Sequence, residues 1–497
     1  QMQKLQVLKI KSCWEMREVF ETQGMNNNNN KKSGCDEGNG GIPRPNNIFL
    51  LINLKILFIW NCPLLEHIFT FYALESLRQL QELTIQKCKA MKVIVKEEEY
   101  DEKQTTTKAS YKEVVVLPHL KSITLEELPE LMGFFLGMNE FRWPSLDYVM
   151  IKKCPKMMVF APGGSTAPKL KYIHTNLGKC SVDQCGPNFH VTTGHYQTPF
   201  LSSFPAPSEG MPWSFHNLIE LHVGYNYNIE KIIPFNELPQ LQKLEKIHVN
   251  SCSLVKEVFE ALEAGTNSSS GFDESQTTIF KLPNLTQLKL EFLNRLRYIC
   301  KSNQWTAFEF PNLTKVYIYR CDMLEHVFTN SMVGSLLQLQ ELSIRRCTQM
   351  VEVISSKDRN LNVEEEEGEE SDGKTNEITF PHLKSLRLEE LPCFKGFCSG
   401  KRNRWTRFEF PNLTTVQITS CNSLEHVFTS SMVGSLLQLQ ELYIRFCSQM
   451  VEVIGKDTNI NVEEEEGEES DGKTNEITFP HLKSLTLGGL PCLKGFC

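Results

Sequence analysis

Two segments of this 497-residue chain have the residue spacing of a phosphate-binding loop, in which backbone N–H groups and a lysine hold nucleotide phosphates. Residues 368–375 and 467–474 both match the pattern G-x-x-x-x-G-K-[ST]. In a nucleotide site such a loop follows a strand and opens a helix, whose N-terminus attracts phosphate. Here four glutamates precede each match, and the extended segment ITFP follows it. Because the acidic side chains would repel phosphates, we predict no nucleotide site and no cofactor.

Cysteine and histidine are also spaced so that they could hold a metal. Cys180, Cys185, His190 and His195 lie at equal five-residue steps, and two thiolates with two imidazoles could bind zinc tetrahedrally. Structural zinc sites use a tighter cysteine pair, and this chain contains seventeen cysteines and twelve histidines. A chance arrangement is therefore the favoured interpretation, and no metal site is predicted.

A histidine and a glutamate recur together in the phrase Leu-Glu-His-[Ile/Val]-Phe, at His67, His326 and His426. General acid–base or nucleophilic catalysis needs a nucleophile or a metal beside the histidine, and neither recurs with these residues. We expect them to pack on the convex side of the fold. The chain is therefore not predicted to be an enzyme.

The strongest pattern in the sequence is a nine-letter unit, L-x-x-L-x-I-x-x-C, whose last letter is sometimes Leu. Apolar letters four and six place one face of a short strand in a core, and stacked units bury the faces that a single unit cannot cover. Such a repeat is typical of leucine-rich repeats. We predict an α/β solenoid: a leucine-rich-repeat horseshoe with a parallel β-sheet on the concave face and an irregular or short helical convex side. The fifteen candidate units begin at Leu5, Leu54, Leu80, Leu120, Leu146, Leu170, Leu218, Leu244, Leu285, Leu313, Leu339, Leu383, Leu413, Leu439 and Leu482.

The repeats divide the chain into two predicted arcs. Residues 1–154 form the first arc and residues 218–497 the second. Between them, residues 155–217 contain eight prolines and one weak repeat, and we predict an irregular connection there. Polar insertions, for which disorder is the expectation, interrupt the arcs at about 21–47, 96–113, 358–377 and 457–476. Since neither end carries a polar capping repeat, we expect a fragment of a longer protein.

Charge and cysteine usage narrow the class of protein. The net charge is −8, which disfavours nucleic-acid binding by phosphate neutralisation. Nine of the seventeen cysteines occupy the ninth letter of the repeat, where a free thiol acts as a small apolar group. No secretory signal and no stretch long enough to span a bilayer is present. These features predict a reducing, cytoplasmic location.

Two long copies of the repeat differ mainly where side chains should point away from the core. Residues 311–354 match 411–454, and residues 378–398 match 477–497. Letters three, five, seven and eight of each unit are expected to line the concave face. Nine of the twelve such positions differ between the copies, whereas only five of the other fifty-three differ. Free drift of exposed residues would also have altered the acidic segment 364–377, which is identical to 463–476 in the second copy. Variation of a recognition surface therefore fits the pattern better.

We accordingly predict a protein-binding surface on the concave face, where aromatic and arginine side chains resemble binding hot spots. The predicted binding residues are Phe58, Trp60, Tyr148, His222, Tyr225, His248, Phe292, Lys315, Tyr317, Tyr319, Arg320, Ser343, Arg345, Arg346, Arg387, Glu389, Gln417, Tyr443, Arg445 and Phe446.

Several phrases, among them LEHVFT, SMVGSLLQLQEL, MVEVI, FPHLKSL and KKCPKMMVF, carry a family resemblance that covers essentially the whole chain. They resemble the leucine-rich-repeat region of plant coiled-coil nucleotide-binding disease resistance proteins, in particular the resistance gene candidate family of lettuce type. The resemblance implies an intracellular immune receptor that binds pathogen effectors or effector-modified host proteins. It also implies that the repeats restrain a nucleotide-binding domain of the same chain. The coiled-coil and nucleotide-domain motifs of that family have no counterpart in this sequence, so only recognition and autoinhibition carry over.

One alternative from a different class stays open at this point. A leucine-rich-repeat adaptor, such as a ubiquitin-ligase substrate receptor, would use similar repeats. An F-box-like helical segment upstream of Gln1 would favour the adaptor, and an upstream nucleotide-binding domain would favour the receptor. Both hypotheses predict a protein ligand, no nucleic acid and no membrane span.

Overall fold

The computed structural model describes most of the repeat units. The described residues are 4–19, 51–97, 114–157, 159–182, 217–261, 278–301, 306–355, 376–398, 405–456 and 478–496. The chain forms two compact units: unit 1 comprises residues 1–202 and 206–217, and unit 2 comprises residues 203–205 and 218–497. The two phosphate-loop matches, the zinc candidates other than Cys180, and nearly all of the predicted insertions lie outside the described residues.

In its described residues, unit 1 consists of short strands with one 3-10 helical segment, Phe71–Leu77. Its described strands are β1 (Val7–Lys11), β2 (Ile56–Trp60), β3 (Phe69–Thr70), β4 (Glu82–Gln86), β5 (Val93–Lys96), β6 (Val114–Val116), β7 (Ser122–Glu126), β8 (Gly133–Phe135), β9 (Glu140–Arg142), β10 (Tyr148–Lys152), β11 (Ser165–Thr166), β12 (Tyr172–His174) and β13 (Gly178–Ser181).

Unit 2 repeats this organisation, with a 3-10 segment at Phe235–Gln240 and two single-turn helices, α1 (Asn330–Val333) and α2 (Ser430–Val433). Its described strands are β14 (Leu218–Gly224), β15 (Lys231–Ile233), β16 (Lys246–Asn250), β17 (Glu257–Phe259), β18 (Thr278–Lys281), β19 (Gln287–Glu291), β20 (Tyr298–Cys300), β21 (Thr306–Glu309), β22 (Lys315–Tyr319), β23 (Glu341–Arg345), β24 (Asn376–Thr379), β25 (Ser385–Glu389), β26 (Trp405–Glu409), β27 (Thr415–Thr419), β28 (Phe428–Thr429), β29 (Glu441–Arg445), β30 (Ile454–Gly455) and β31 (Ser484–Gly488).

In each unit the strands of the nine-letter repeats form one sheet, here called the main sheet. Its order in unit 1 is β1-β2-β4-β7-β10-β12, with β13 antiparallel beside β12. Its order in unit 2 is β14-β16-β19-β22-β23-β25-β27-β29-β31, with every neighbouring pair parallel. All fifteen predicted repeats contribute a strand. The prediction of a leucine-rich-repeat solenoid with a parallel sheet is therefore confirmed.

The repeat letters explain the two faces of this sheet. In β23, Leu342 and Ile344 are buried while Ser343 and Arg345 are partly exposed, as the period of two in a strand requires. The thiol of Cys347 donates a hydrogen bond to the carbonyl of Arg345, with Sγ and O 3.5 Å apart. The cysteine thus fills the corner where the chain leaves the sheet, which is the role predicted for the ninth letter.

The residue at letter eight adopts a backbone conformation that was not predicted from the sequence. Among the residues that the structure describes, thirteen non-glycine residues, all at this letter, have φ between 52° and 60°. This left-handed region costs an ordinary residue about 1–2 kcal/mol. The N–H of the eighth letter donates to the carbonyl of the next strand, as Arg346 does to Glu389 at 2.8 Å. The hydrogen-bond ladder between the strands thereby extends one residue past the strand end, and this additional bond offsets part of the strain.

The side opposite the main sheet carries short parallel ladders as well as the single-turn helices. These ladders are β3-β5-β8, β6-β9-β11, β15-β17-β20, β18-β21, β24-β26 and β28-β30. Buried aromatic rings fill the space behind them, for example Phe308 stacked on Phe310 at 6.4 Å and tilted against Phe259 at 5.7 Å. Among the described residues, no helix is long and apolar enough to cross a membrane.

Candidate protein-binding surface

The structure places all twenty predicted binding residues at letters three, five, seven or eight of a repeat. Letters three, five and seven form the side of the main sheet that faces away from the buried letters, here called the open face. The eighth letters follow the strand ends and form its rim. Three of the residues, Phe58, Trp60 and Tyr148, belong to unit 1, and the other seventeen belong to unit 2.

In unit 1 the predicted aromatic residues lie beside basic or aromatic neighbours. The Lys11 ammonium lies 5.4 Å from the ring centre of Phe58, and that of Lys87 lies 5.6 Å from Trp60. The Tyr148 ring, 38% exposed, packs 5.1 Å from His174. These contacts hold the rings in place while leaving area exposed, as a contact surface requires.

In unit 2 a cluster of arginines surrounds Tyr319 on β22. The guanidinium carbons of Arg320, Arg345 and Arg346 lie 5.8, 5.7 and 5.8 Å from the Tyr319 ring centre. Phe292 meets the same ring edge-on at 5.2 Å. Cation–π contacts of this kind contribute about 0.5–1 kcal/mol each at exposed sites. The cluster is a positively charged, partly apolar patch whose side chains are already ordered.

Glu389 on β25 ties three neighbouring strands together. Its carboxylate accepts hydrogen bonds from Arg345 Nε at 2.6 Å, Arg387 Nε at 2.7 Å and Gln417 Nε2 at 2.9 Å. Only 12% of its side chain is exposed. Glu389 was among the predicted binding residues, but its carboxylate is occupied and largely covered. It positions Arg345, Arg387 and Gln417 on the open face.

A groove of about 680 Å³ runs along the rim of unit 2. Five successive eighth letters line it: Ser251, Phe292, Arg320, Arg346 and Glu390. Arg346 pairs with Glu390 at 3.0 Å and also donates to the Tyr319 hydroxyl at 3.1 Å. The hydrogen bond to Glu390 raises the pKa of Arg346 above its ordinary value. The groove therefore joins the Tyr319 cluster, so open face and rim form one continuous surface.

The second copy of the repeat carries a different arrangement at the equivalent place. Arg445 lies 5.0 Å from the ring centre of Phe446 and 5.8 Å from that of Tyr443, whose hydroxyl accepts from Arg445 Nη1 at 3.0 Å. Phe446, at the rim, is 52% exposed. Opposite Arg445 on the next strand stands Gly488, where the first copy has Glu389 opposite Arg345.

Sequence reasoning missed residues that the same rule would have found. Lys289 and Glu291 are letters five and seven of the unit at Leu285, of which only Phe292 was singled out. Glu291 Oε2 lies 2.9 Å from both His248 Nε2 and Lys289 Nζ. Burial opposes ionisation of Glu291, but the hydrogen bonds from Lys289 and His248 outweigh it and lower the pKa of Glu291.

The candidate metal and histidine positions can be located in the described part of the chain. No group of three or more potential metal ligands occurs among the described residues. Cys180, the one described member of the zinc candidates, is buried, and burial raises its pKa to about 12. His67 packs with 9% exposure on the side away from the main sheet, and burial lowers its pKa.

Comparison with known proteins agrees with this geometry. A family described as plant disease resistance protein RPS2-like, leucine-rich repeats, matches residues 39–185, 205–348 and 348–448. No curated protein matches the chain. Among solved structures, the crystal structure of a TLR13–ssRNA13 complex is similar at 13% identity and a TM-score of 0.21. That match covers 81% of this chain and 65% of the other, so this chain spans just under two thirds of that protein.

Proposed function

This chain belongs to the leucine-rich-repeat family of RPS2-like plant disease resistance proteins, and from that premise we propose that it is the ligand-recognition region of a cytoplasmic immune receptor. It binds a pathogen effector, or a host protein that an effector has modified, through the open face and rim of unit 2. The repeats also restrain a nucleotide-binding domain of the same receptor. The closer kinship with lettuce-type resistance gene candidates is part of this proposal.

One observation carries the proposal. Nine of the fourteen differences between the two matched copies fall on the twelve open-face and rim positions. In the structure these positions are the ones that leave the buried letters untouched, since Leu342, Ile344 and their equivalents Leu442 and Ile444 are identical and buried. The copies therefore keep one scaffold and change its exposed chemistry, which is how a repeat surface acquires a new ligand.

The chemistry of the surface supports a protein ligand. Eleven of the thirty-six open-face and rim residues of unit 2 are Tyr, Phe or Arg. Tyrosine and arginine are enriched among the side chains that carry most of the free energy of protein–protein association. Their side chains are held by mutual contacts, for example around Tyr319. Less side-chain entropy is therefore lost when a partner binds.

The proposal is tested with the purified chain and a panel of pathogen effector proteins, measured by biolayer interferometry. A variant that replaces Tyr317, Tyr319, Arg345 and Tyr443 by Ala is expected to lose every interaction that the unmodified chain makes. Its circular-dichroism spectrum should be unchanged, because none of the four residues belongs to the buried letters.

A control variant on the opposite side replaces Glu230, Lys256, Met323 and Leu337, all exposed, by Ala. It is expected to bind as the unmodified chain does. Effector binding that survives the open-face changes, or that only the control variant loses, would refute the proposed surface.

A further inference from the structure

We propose that Arg445 is a receptor for a single carboxylate, the side chain of an Asp or Glu in the protein ligand, which enters over Gly488 between Tyr443 and Phe446. This inference rests on the proposed function, because it names the chemistry of the ligand at one point of the same surface. It follows from comparing the two copies strand by strand.

In the first copy the site is already filled from within the chain. Arg345 and Glu389 are register partners on β23 and β25, and Arg345 Nε lies 2.6 Å from Glu389 Oε2. This approach from a neighbouring strand shows that the backbone places an arginine at letter seven within reach of a carboxylate at letter seven of the next unit. Nε approach also suits an arginine–carboxylate pair with two parallel hydrogen bonds.

In the second copy the arginine stays and the carboxylate is gone. Arg445 and Gly488 are the corresponding register partners on β29 and β31. Arg445 Nε is buried and has no hydrogen-bond partner among the described residues. A buried donor that is left unmatched is unfavourable, and a charged donor more so, hence an incoming acceptor is strongly favoured.

Glycine leaves the position beside this donor without a side chain. A Cβ built on Gly488 would lie 3.3 Å from Arg445 Nε, so a side chain at this position stands in front of the guanidinium. The next residue is also glycine, and a Cβ on Gly489 would lie 2.6 Å from Phe446 Cδ1. Two glycines therefore replace Glu389 and Glu390 of the first copy, and both acids that would compete for arginine are removed from this point.

The charges around the site favour an anion from outside. The open-face and rim letters of β27, β29 and β31 carry two charged residues, Arg445 and Glu441. Glu441 is four residues from Arg445 along the strand, about 13 Å away at the usual rise. The arginine is thus the positive end of an otherwise neutral patch of Tyr443, Phe446 and Gln417, and its attraction for an acid is little screened by neighbours.

The test follows the Nε–Hε resonance of Arg445 in ¹⁵N-arginine-labelled chain, assigned from the spectrum of Arg445→Lys. The probe is an acetylated, amidated Gly-Ser-Glu-Ser-Gly peptide, with the Gln peptide as the matched control. A third peptide carries Gln and a free C-terminal carboxylate. We expect a saturable shift of Arg445 with the Glu peptide, no shift with the Gln peptide, and no response of Arg345, whose Nε already has Glu389.

Two variants give each copy the residue type that the other copy has opposite its arginine. Gly488→Glu should shift the Arg445 resonance in the absence of peptide and remove its response. Glu389→Gly should give Arg345 the response that Arg445 has in the unmodified chain, and it does not depend on tolerance of a new side chain at residue 488. Backbone amide spectra show whether each variant is folded.

Several results would overturn the assignment. They are equal shifts with the Glu and Gln peptides, no shift at all, or a shift only with the free C-terminal carboxylate. A further one is an Arg445 resonance that moves when Glu463, Glu464, Glu465 and Glu466 are replaced by Gln, because the chain's own acid would then fill the site. If Arg445 fails to respond while effector binding persists, this inference falls and the proposed function stands.

Discussion

Replacing Glu389 by Gln should weaken the main sheet of unit 2 far more than the same change at the next residue. Glu389 accepts from Arg345 and Arg387 at 2.6 and 2.7 Å with a side chain that is 12% exposed. Glu390 accepts from Arg346 at 3.0 Å with a side chain that is 51% exposed. The two glutamates therefore form a matched pair that differs in burial and in the number of arginines each one neutralises.

The magnitude follows from the hydrogen bonds that are lost. A hydrogen bond to a charged group contributes about 1.5–3 kcal/mol. The two arginines are 30% and 42% exposed, so solvent screens each pair and the lower end applies. Gln keeps one acceptor oxygen but turns an amide NH₂ toward a guanidinium. We expect Glu389→Gln to destabilise the local structure by about 2 kcal/mol, which is roughly a 30-fold change in an opening equilibrium.

Hydrogen exchange is the appropriate assay, because repeat units can open locally and the expected loss is confined to the strands that Glu389 connects. Protection of the amides in β23, β25 and β27 is expected to fall about 30-fold in Glu389→Gln and to stay unchanged in Glu390→Gln. Equal protection in the two variants would refute the argument that the buried carboxylate organises these strands.

Three further predictions concern groups outside this network. Burial lowers the pKa of His67, so the unfolded chain binds more protons at this residue than the folded chain does. The stability that His67 contributes is therefore complete above about pH 6.5 and should fall as the pH drops below that value. His67→Gln should flatten this dependence in urea unfolding midpoints measured from pH 5 to 8. Burial raises the pKa of Cys154 to about 12, so in the native chain a thiol-reactive disulfide reagent at pH 8 should modify exposed Cys492 and spare Cys154 by mass spectrometry; rapid native labelling of Cys154 would contradict this. Ser420 has φ 56°, so Ser420→Gly should stabilise the chain by about 0.5–1 kcal/mol after the entropy of the unfolded chain is allowed for, whereas Thr419→Gly in the adjoining strand should destabilise it; a melting temperature that shifts the same way in both would contradict the strain argument.

The strands could be predicted from the sequence because their signal is repeated and strictly periodic. The leucine at letter one recurs fifteen times, letters four and six are both apolar in fourteen of these units (the weak unit at Leu170 has Thr175 at letter six), and a strand is found at each. The domain boundaries, by contrast, rested on the prolines of residues 155–217 and stay a prediction. Within that stretch, residues 159–182 contain β11, β12 and β13. The weak repeat at Leu170 predicted β12, whereas β11 and β13, of two and four residues, leave no periodic trace in the sequence.

The ladders opposite the main sheet went unpredicted for the same reason. Strands such as β3 and β28 span two residues, so alternation between faces cannot be recognised in them. The left-handed conformation at letter eight was not predicted, for a different reason. A single glycine or asparagine is the usual sign of that conformation, but here Lys, Glu, Arg, Tyr and Phe also adopt it. The hydrogen bond to the next strand imposes it from outside the residue.

The identity of the open-face residues was predictable from letter position, but their pairing was not. Side chains at the letters that face solvent can form ion pairs and hydrogen bonds across strands. A difference between the copies does not reveal which side chains pair with each other. Lys315 pairs with Glu341 at 2.7 Å in the first copy, and Thr415 stands in its place in the second, beside an unchanged Glu441. Likewise, Gly488 stands in the second copy where the first copy has Glu389, so Arg445 has no acidic register partner. Each change removes the partner of a charge that an ion pair within the chain neutralises in the first copy.

The core letters explain why such changes are tolerated. Buried core letters such as Leu342 and Ile344, and their equivalents Leu442 and Ile444, stabilise the solenoid, whereas gaining or losing an exposed ion pair alters stability by less than about 1 kcal/mol. A buried network such as that of Glu389 is the exception, since part of the fold depends on it. In the second copy Thr486 and Gly488 replace Arg387 and Glu389 together, so the network is absent as a whole, and in the proposed binding surface Arg445 is left for a ligand.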